Sequence, residues 1–205
     1  MLGLVGLLFA TAVFATAPDA HVLELPFRSQ LDGSAYAAAN CGPTALSMLL
    51  AYYGVDASPW QLRVLSMRAQ HSWVDDDGGY SDSYGVFVYN LASVGQEYGF
   101  RAEGLWRREA RHEDVLREWQ AIDLRRSITS NRPVIVQVLY RALPAHTRSR
   151  YFDDHYVVVH GTVGDDFVYS DPLDGPDQVI SEDSLVRAMT LSSSSRSGFV
   201  LVKAN

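Results

Sequence analysis

Two kinds of hydrophobic pattern divide this 205-residue chain, and their order along the sequence constrains the fold more than any other feature. Apolar residues recur with helical spacing first, and runs rich in β-branched residues follow. The helical patterns cover residues 43–53, 59–70, 86–98 and 113–128, and the extended runs cover 133–140, 155–160, 166–169 and 198–202. Because Gly164 and Asp165 separate two of these runs by a hairpin-length turn, they predict antiparallel pairing. The chain is therefore predicted to be an α+β protein, with N-terminal helices packed on a C-terminal antiparallel sheet.

The first 17 residues differ from the rest, because they are apolar and carry no charge. They end in Ala15-Thr16-Ala17, the small-x-small pattern that signal peptidases accept. Residues 1–17 are therefore predicted to be a signal peptide or, since no basic residue precedes the apolar run, an uncleaved membrane anchor. The remaining residues, 18–205, are expected to form one domain. The protein is expected to be secreted or extracytoplasmic, and possible membrane contact is confined to the N-terminal segment.

Composition excludes several classes of protein. The chain has 17 basic and 24 acidic residues, a net charge of -7, which argues against a nucleic-acid binder. Its one cysteine, Cys41, excludes an intramolecular disulfide and any thiolate-rich metal centre. No cofactor and no metal are expected, and the sequence leaves the oligomeric state open.

Cys41 lies at the predicted start of the first helix, in Asn40-Cys41-Gly42-Pro43. The free N–H groups at a helix N-terminus favour a negative charge, so a thiolate is favoured there. Pro43 suits the first turn, where its missing N–H loses no hydrogen bond. A nucleophilic cysteine is one interpretation, and a buried structural cysteine is the alternative.

A nucleophilic cysteine needs a base, and two histidines lie on one predicted strand. His155 and His160 are five positions apart, so regular alternation points them to opposite faces and only one can face Cys41. His155 stands at the strand start, and Asp171 ends the next strand, where it could orient the imidazole. The other four histidines, His21, His71, His112 and His146, are predicted to be on the surface.

Four segments together resemble the C39-like cysteine peptidases, a papain-like group. They are Gln30 followed by Asn40-Cys41-Gly42-Pro43-Thr44-Ala45-Leu46-Ser47-Met48, then Arg132-Pro133-Val134-Ile135-Val136-Gln137-Val138, then Asp154-His155-Tyr156-Val157-Val158-Val159, then Tyr169-Ser170-Asp171-Pro172-Leu173-Asp174-Gly175. The resemblance covers about residues 24–180. It implies a papain-like fold in which Cys41 is the nucleophile, His155 the general base and Asp171 its orienting partner. It also implies that Gln30 joins the backbone N–H of Cys41 in an oxyanion hole.

The implied activity is that of an exported, stand-alone cysteine peptidase or amidase, a hydrolase that acts on a peptide or protein through a thioester acyl-enzyme. The best-known members are fused to transporters and cut after a double glycine, a specificity that does not transfer safely to this chain. Two alternatives stay open: an acyltransferase or transglutaminase-like enzyme on the same triad, and a non-catalytic peptide-binding module.

Two clusters of acidic residues could be interpreted as metal sites, but the spacing of their residues argues against it. Residues 75–82 combine aspartates with a glycine turn but do not match an EF-hand loop, so a solvated loop is expected and calcium binding stays open. Asp153 and Asp154, with His146 and His155, form a second candidate cluster. Neighbouring residues of a strand point to opposite faces, and the sequence contains no HExxH motif. Both observations argue against a metal site in this cluster.

Overall fold

The computed structural model describes residues 19–71, 85–105, 118–151 and 153–204. The predicted signal segment, residues 1–17, and the acidic loop, residues 75–82, lie outside the described residues, as does His112. Within the described part of the chain, no helix is long and apolar enough to cross a membrane.

Five helices are described: α1 (Cys41–Tyr52), α2 (Pro59–His71), α3 (Val88–Glu97), α4 (Ala121–Thr129) and α5 (Glu182–Thr190). The first three agree with the sequence patterns to within two residues at each end. Residues 113–117 of the predicted fourth helix lie outside the described residues. In the described part the helix begins at Ala121, because the backbone of Gln120 is extended. The backbone N–H of Gln120 donates to the Asp123 carboxylate at 3.0 Å, which stabilises a helix start at Ala121.

Seven antiparallel strands form one sheet across the described ranges. They are β1 (Ala20–Val22), β2 (Phe100–Leu105), β3 (Val134–Leu139), β4 (Asp154–Val163), β5 (Asp166–Asp171), β6 (Gly175–Ser181) and β7 (Gly198–Lys203). Their order is β2-β7-β3-β4-β5-β6, and β1 pairs with the end of β4. The predicted extended runs did not include β1, β2 or β6. The strand β1 has only three residues. The strands β2 and β6 are edge strands, which lack the continuous apolar run of a central strand such as β4.

The sheet is covered by apolar residues on both faces. Tyr156 and Val158 of β4 belong to a core shared with α1, α2 and α3. Val157 and Val159 of the same strand belong to a second core, shared with α4 and α5. The α+β prediction is confirmed. The structure adds that α4 and α5 cover the opposite face of the sheet from the first three helices.

The start of α1 lies close against β4 and α3 because residue 42 has no side chain. A Cβ atom at Gly42 would lie 2.7 Å from Leu91 Cδ1 and 3.1 Å from the Tyr156 ring. The hydroxyl of Tyr156 donates to the Val86 carbonyl at 2.9 Å, which connects β4 to the segment before α3. Gly42 therefore allows the first turn of α1 to pack directly against the strand that begins with Asp154 and His155.

Candidate active site

Cys41 is the first residue of α1 and is only 5% exposed. The side chain of the preceding residue, Asn40, makes no capping hydrogen bond, and the intrahelical pattern begins with Thr44 N–H donating to the Asn40 carbonyl at 3.0 Å. The N–H groups of the first turn are therefore not taken by a side-chain cap. This is the helix-terminal environment in which a thiolate is favoured.

His155 and Asp171 form a buried pair. His155 Nε2 lies 2.7 Å from Asp171 Oδ1, and the two side chains are 1% and 0% exposed. The pairing of β4 with β5 explains this contact. Val158 lies opposite Ser170, so Asp171 lies diagonally across from His155 on the neighbouring strand. The structure therefore brings together the histidine and the aspartate that the sequence selected.

Opposing effects determine the charge of this pair. Burial lowers the pKa of His155, but hydrogen bonds to Asp171 and to Cys41 raise it more, to about 10. Burial raises the pKa of Asp171, but the hydrogen bond from His155 and the backbone N–H groups of Leu173 and Asp174 lower it below its usual value. At neutral pH the pair is therefore an imidazolium and a carboxylate, with Cys41 interacting with the imidazolium.

Gln30 connects the two segments that carry Cys41 and Asp171. Its backbone N–H donates to the Pro172 carbonyl at 2.8 Å, and its side-chain Nε2 donates to the Ala37 carbonyl at 2.9 Å. The residue is 2% exposed. Since an amide nitrogen carries two N–H groups, one donor remains beside the one used by Ala37. The structure thus anchors Gln30 to the turn before Cys41 and to the residue after Asp171.

Sequence reasoning missed the connection between β3 and β4. It contains two short 3₁₀ turns, Tyr140–Ala142 and Pro144–His146. Tyr140 contacts the His155 ring edge-to-face at a centroid distance of 5.2 Å, and Tyr151 contacts Tyr140 in the same way at 5.4 Å. Burial and the charge of Cys41 raise the pKa of Tyr151 to about 12. The sequence signal for these ring contacts was that the segment between β3 and β4 is too long for a hairpin turn and contains the aromatic residues Tyr140 and Tyr151.

His146 was predicted to be a surface histidine, and the structure corrects this. Its ring stacks on Tyr140 at 4.2 Å, and its Nε2 lies 2.9 Å from Asp174 Oδ2. His146 is followed in sequence by polar residues, which concealed this packing. His146 and Asp174 therefore lie close to the Asp171 carboxylate.

His160 has a structural role that agrees with its exclusion from the site. It is 1% exposed, and its Nδ1–H donates to the Leu23 carbonyl at 3.0 Å. Its Nε2 accepts from the Ser170 hydroxyl at 3.1 Å. Burial lowers its pKa, so it is a neutral histidine that fixes the chain before α1 to β4.

The acidic cluster considered from sequence is not assembled as a metal site. Asp154 instead accepts hydrogen bonds from Gln137 Nε2 at 2.7 Å and from the backbone N–H of Ser193 at 3.0 Å. These contacts tie the start of β4 to β3 and to the serine-rich turn before β7.

Comparison with known proteins agrees with this geometry. The family model described as the Peptidase_C39 like family matches residues 22–188. The chain belongs to this family. No curated protein sequence matches the chain.

Two solved structures share the fold. One is a candidate C39-like peptidase from Bacillus anthracis, with a TM-score of 0.62 and 19% identity, covering 91% of this chain and 99% of the other. The other is a double glycine motif protease from an AMS/PCAT transporter, solved with its leader peptide. It has a TM-score of 0.54 and 21% identity, covering 90% of this chain and 94% of the other. The chain therefore has the fold of C39-like peptidases.

Proposed function

We propose that this protein is a cysteine peptidase or amidase that hydrolyses a peptide or amide bond with Cys41, His155 and Asp171. The observation that carries this proposal is the buried pair of His155 and Asp171, 2.7 Å apart, which interacts with the cysteine at the start of α1. A buried imidazolium needs compensating negative charge, and the Asp171 carboxylate 2.7 Å away provides it.

The proposed reaction follows from these positions. The Cys41 thiolate attacks the carbonyl carbon of the substrate, and the tetrahedral oxyanion is stabilised by the backbone N–H of Cys41 and the free N–H of Gln30 Nε2. The His155 imidazolium gives its proton to the leaving amine, and a thioester between Cys41 and the acyl group remains. His155, now neutral, takes a proton from water, which attacks the thioester. The carboxylic acid leaves, and the thiolate and imidazolium are restored.

The proposed substrate is a peptide or protein, without a narrower class. The double glycine motif protease cuts a motif named in its own description, but at 21% identity the likeness shows the fold alone. No feature of the described residues favours an acyltransferase or a non-catalytic binding module over hydrolysis. The same triad could pass an acyl group to an amine, so a test for hydrolysis must also offer an amine acceptor.

Alkylation of Cys41 tests whether the thiol is activated. The full chain is treated with iodoacetamide at about pH 6, where an ordinary thiol with a pKa near 8.5 reacts slowly, and modification is followed by intact mass. Rapid labelling of the native protein is expected, slowed at least about tenfold by His155→Ala because the imidazolium that stabilises the thiolate is lost. His21→Gln, on the exposed strand β1, is the matched control and should label like the parent. Labelling only after denaturation contradicts the proposal.

A peptide library then defines the reaction. Hydrolysis should produce new carboxyl termini that are absent with Cys41→Ala. The library is repeated with an added primary amine. Amide adducts that outnumber the hydrolysed products would show that the enzyme is a transferase.

A further inference from the structure

The turn that leads into Cys41 is built from residues that cannot fix its position by themselves. Ala37–Ala39, the alanine turn, form a single 3₁₀ turn that has no polar side chain and no buried residue. Tyr36, the residue before it, makes no side-chain capping hydrogen bond. Hydrogen-bond geometry is poorer in a 3₁₀ turn than in an α-helix. The position of the alanine turn therefore depends on groups from other segments of the chain.

The alanine turn also holds the proposed oxyanion donor. The Ala37 carbonyl accepts from Gln30 Nε2 at 2.9 Å and from the backbone N–H of Asn40 at 3.4 Å. The Gln30 amide and the backbone that enters α1 therefore share one acceptor. A shift of the turn would move the free N–H of Gln30 relative to the backbone N–H of Cys41.

Helix α2 contacts both ends of the alanine turn through Arg63. This side chain is buried, with 2% of the residue exposed, and its Nη1 donates to the Ala39 carbonyl at 3.2 Å. The guanidinium carbon lies 4.6 Å from the centroid of the Tyr36 ring, within the range of a cation–π interaction. Trp60, one turn earlier on α2, stacks on the same ring at a centroid distance of 5.8 Å. Arg63 therefore connects α2 to the residue before the turn and to its last residue.

We propose that Arg63 is a positioning residue for the oxyanion hole, an inference that rests on the proposed function. Arg63 fixes the alanine turn, and through it the free N–H of Gln30. Arginine suits this position because a planar guanidinium can stack on a ring and donate a hydrogen bond at once. The side chain of Cys41 is held separately, since Gly42 packs the start of α1 against α3 and β4. Loss of Arg63 should therefore impair oxyanion stabilisation more than thiol activation.

A double substitution tests whether Arg63 acts through Gln30. Arg63→Met keeps an unbranched side chain but removes the charge and the donors, and it should lower kcat for a peptide identified in the library at least about tenfold. In the Gln30→Ala background the same change should lower kcat by less than about twofold further, because the donor that Arg63 positions is already absent. Iodoacetamide labelling of Cys41 should stay close to the parent rate. Circular dichroism establishes that each variant is folded.

Two further variants complete this test. Arg68→Met, at an exposed position of the same helix, is the matched control and should equal the parent in both assays. Arg63→Lys keeps a positive charge and N–H donors, and it replaces Arg63→Met if that variant does not fold. The same pattern is then expected at a smaller size, because an ammonium group lacks the planar fork of a guanidinium. Losses of kcat that multiply in the double variant, or labelling slowed as strongly as hydrolysis, would overturn the inference.

Amide hydrogen exchange, followed by NMR, tests the alanine turn without any need for activity. The N–H groups of Ala39 and Asn40 each donate to the carbonyl three residues earlier. Both should exchange faster in Arg63→Met than in Arg68→Met, because the turn opens more often when α2 no longer holds it. Unchanged exchange would overturn the inference. If Cys41 proves inert, the proposed function fails, while this measurement still decides whether Arg63 holds the turn.

Discussion

At the scale of single residues, the site depends on charges that are compensated only by one another. His155 and Asp171 are almost completely buried, and each holds the other in its charged form. Removing one member of a buried pair leaves the other charge uncompensated, which is more damaging than losing an exposed ion pair. Gln30 differs, because it is neutral and its backbone is held independently of its side chain.

Gln30→Ala is expected to separate oxyanion stabilisation from thiol activation. Loss of one oxyanion donor commonly lowers kcat about 10²–10³-fold. Alkylation of Cys41 forms no oxyanion, so its rate should stay close to that of the parent. Hydrolysis of a peptide identified in the library and iodoacetamide labelling are measured on the same preparations.

Gln30→Glu serves as the size-matched variant, because it keeps the volume but replaces the amide donors with a carboxylate. It should be at least as defective in hydrolysis as Gln30→Ala. If either variant slowed labelling as strongly as hydrolysis, Gln30 would have a structural role at the start of α1.

At the scale of elements, the packing of α1 against α3 and β4 determines where Cys41 lies. Gly42 is adjacent to Cys41, and its missing Cβ leaves the space that Leu91 and Tyr156 fill. Gly42 therefore has a packing role, because a side chain there would displace the first turn of the helix.

Gly42→Ala is expected to destabilise the protein by about 1–3 kcal/mol, the usual range for overpacking a filled core. Urea unfolding measures the change. Leu91→Ala removes the atom that the new methyl group would meet at 2.7 Å, so the double variant should be less destabilised than the sum of the single variants.

Gly85→Ala is the matched control, since a Cβ there meets nothing within 4 Å. Its free energy of unfolding should differ from that of the parent by no more than about 0.5 kcal/mol. Strictly additive effects of Gly42→Ala and Leu91→Ala would show that the contact does not position α1.

At the scale of the whole molecule, the same buried pair links stability to pH. The pKa of His155 is raised in the folded protein from 6.5 to about 10, so the folded state retains this proton more strongly than the unfolded chain. The stabilisation is complete below about pH 6.5 and is lost as the pH rises towards 10. The pKa of Asp171 is lowered, so its contribution is present above about pH 4 and is lost at lower pH.

The difference in unfolding free energy between the parent and His155→Gln should therefore be largest near about pH 5–6 and should shrink towards pH 10. Urea unfolding across this range measures it. His160, whose lowered pKa has the opposite effect, is present in both proteins and cancels. A difference that does not vary with pH would mean that His155 is not held as an imidazolium.

Much of the architecture could be predicted from local sequence, because central elements carry strong patterns. The strands β3 and β4 contain runs of β-branched residues that are buried on both faces, and the helices α1 to α3 show clear helical spacing of apolar residues. The strands β2 and β6 could not be predicted, because an edge strand needs only one partner and tolerates polar residues. Whether such a segment forms a strand depends on the neighbouring strand with which it pairs.

The sequence by itself determined the class of fold and the residue types that could perform the chemistry: one cysteine at a helix start, a histidine at a strand start and an aspartate at the end of the next strand. The tertiary structure decided which groups surround them. The stacking of His146 on Tyr140 and the pairing of His146 with Asp174 arise from segments that meet only after folding. Local patterns reflect periodic burial, whereas contacts between irregular segments depend on the complete packing of the chain.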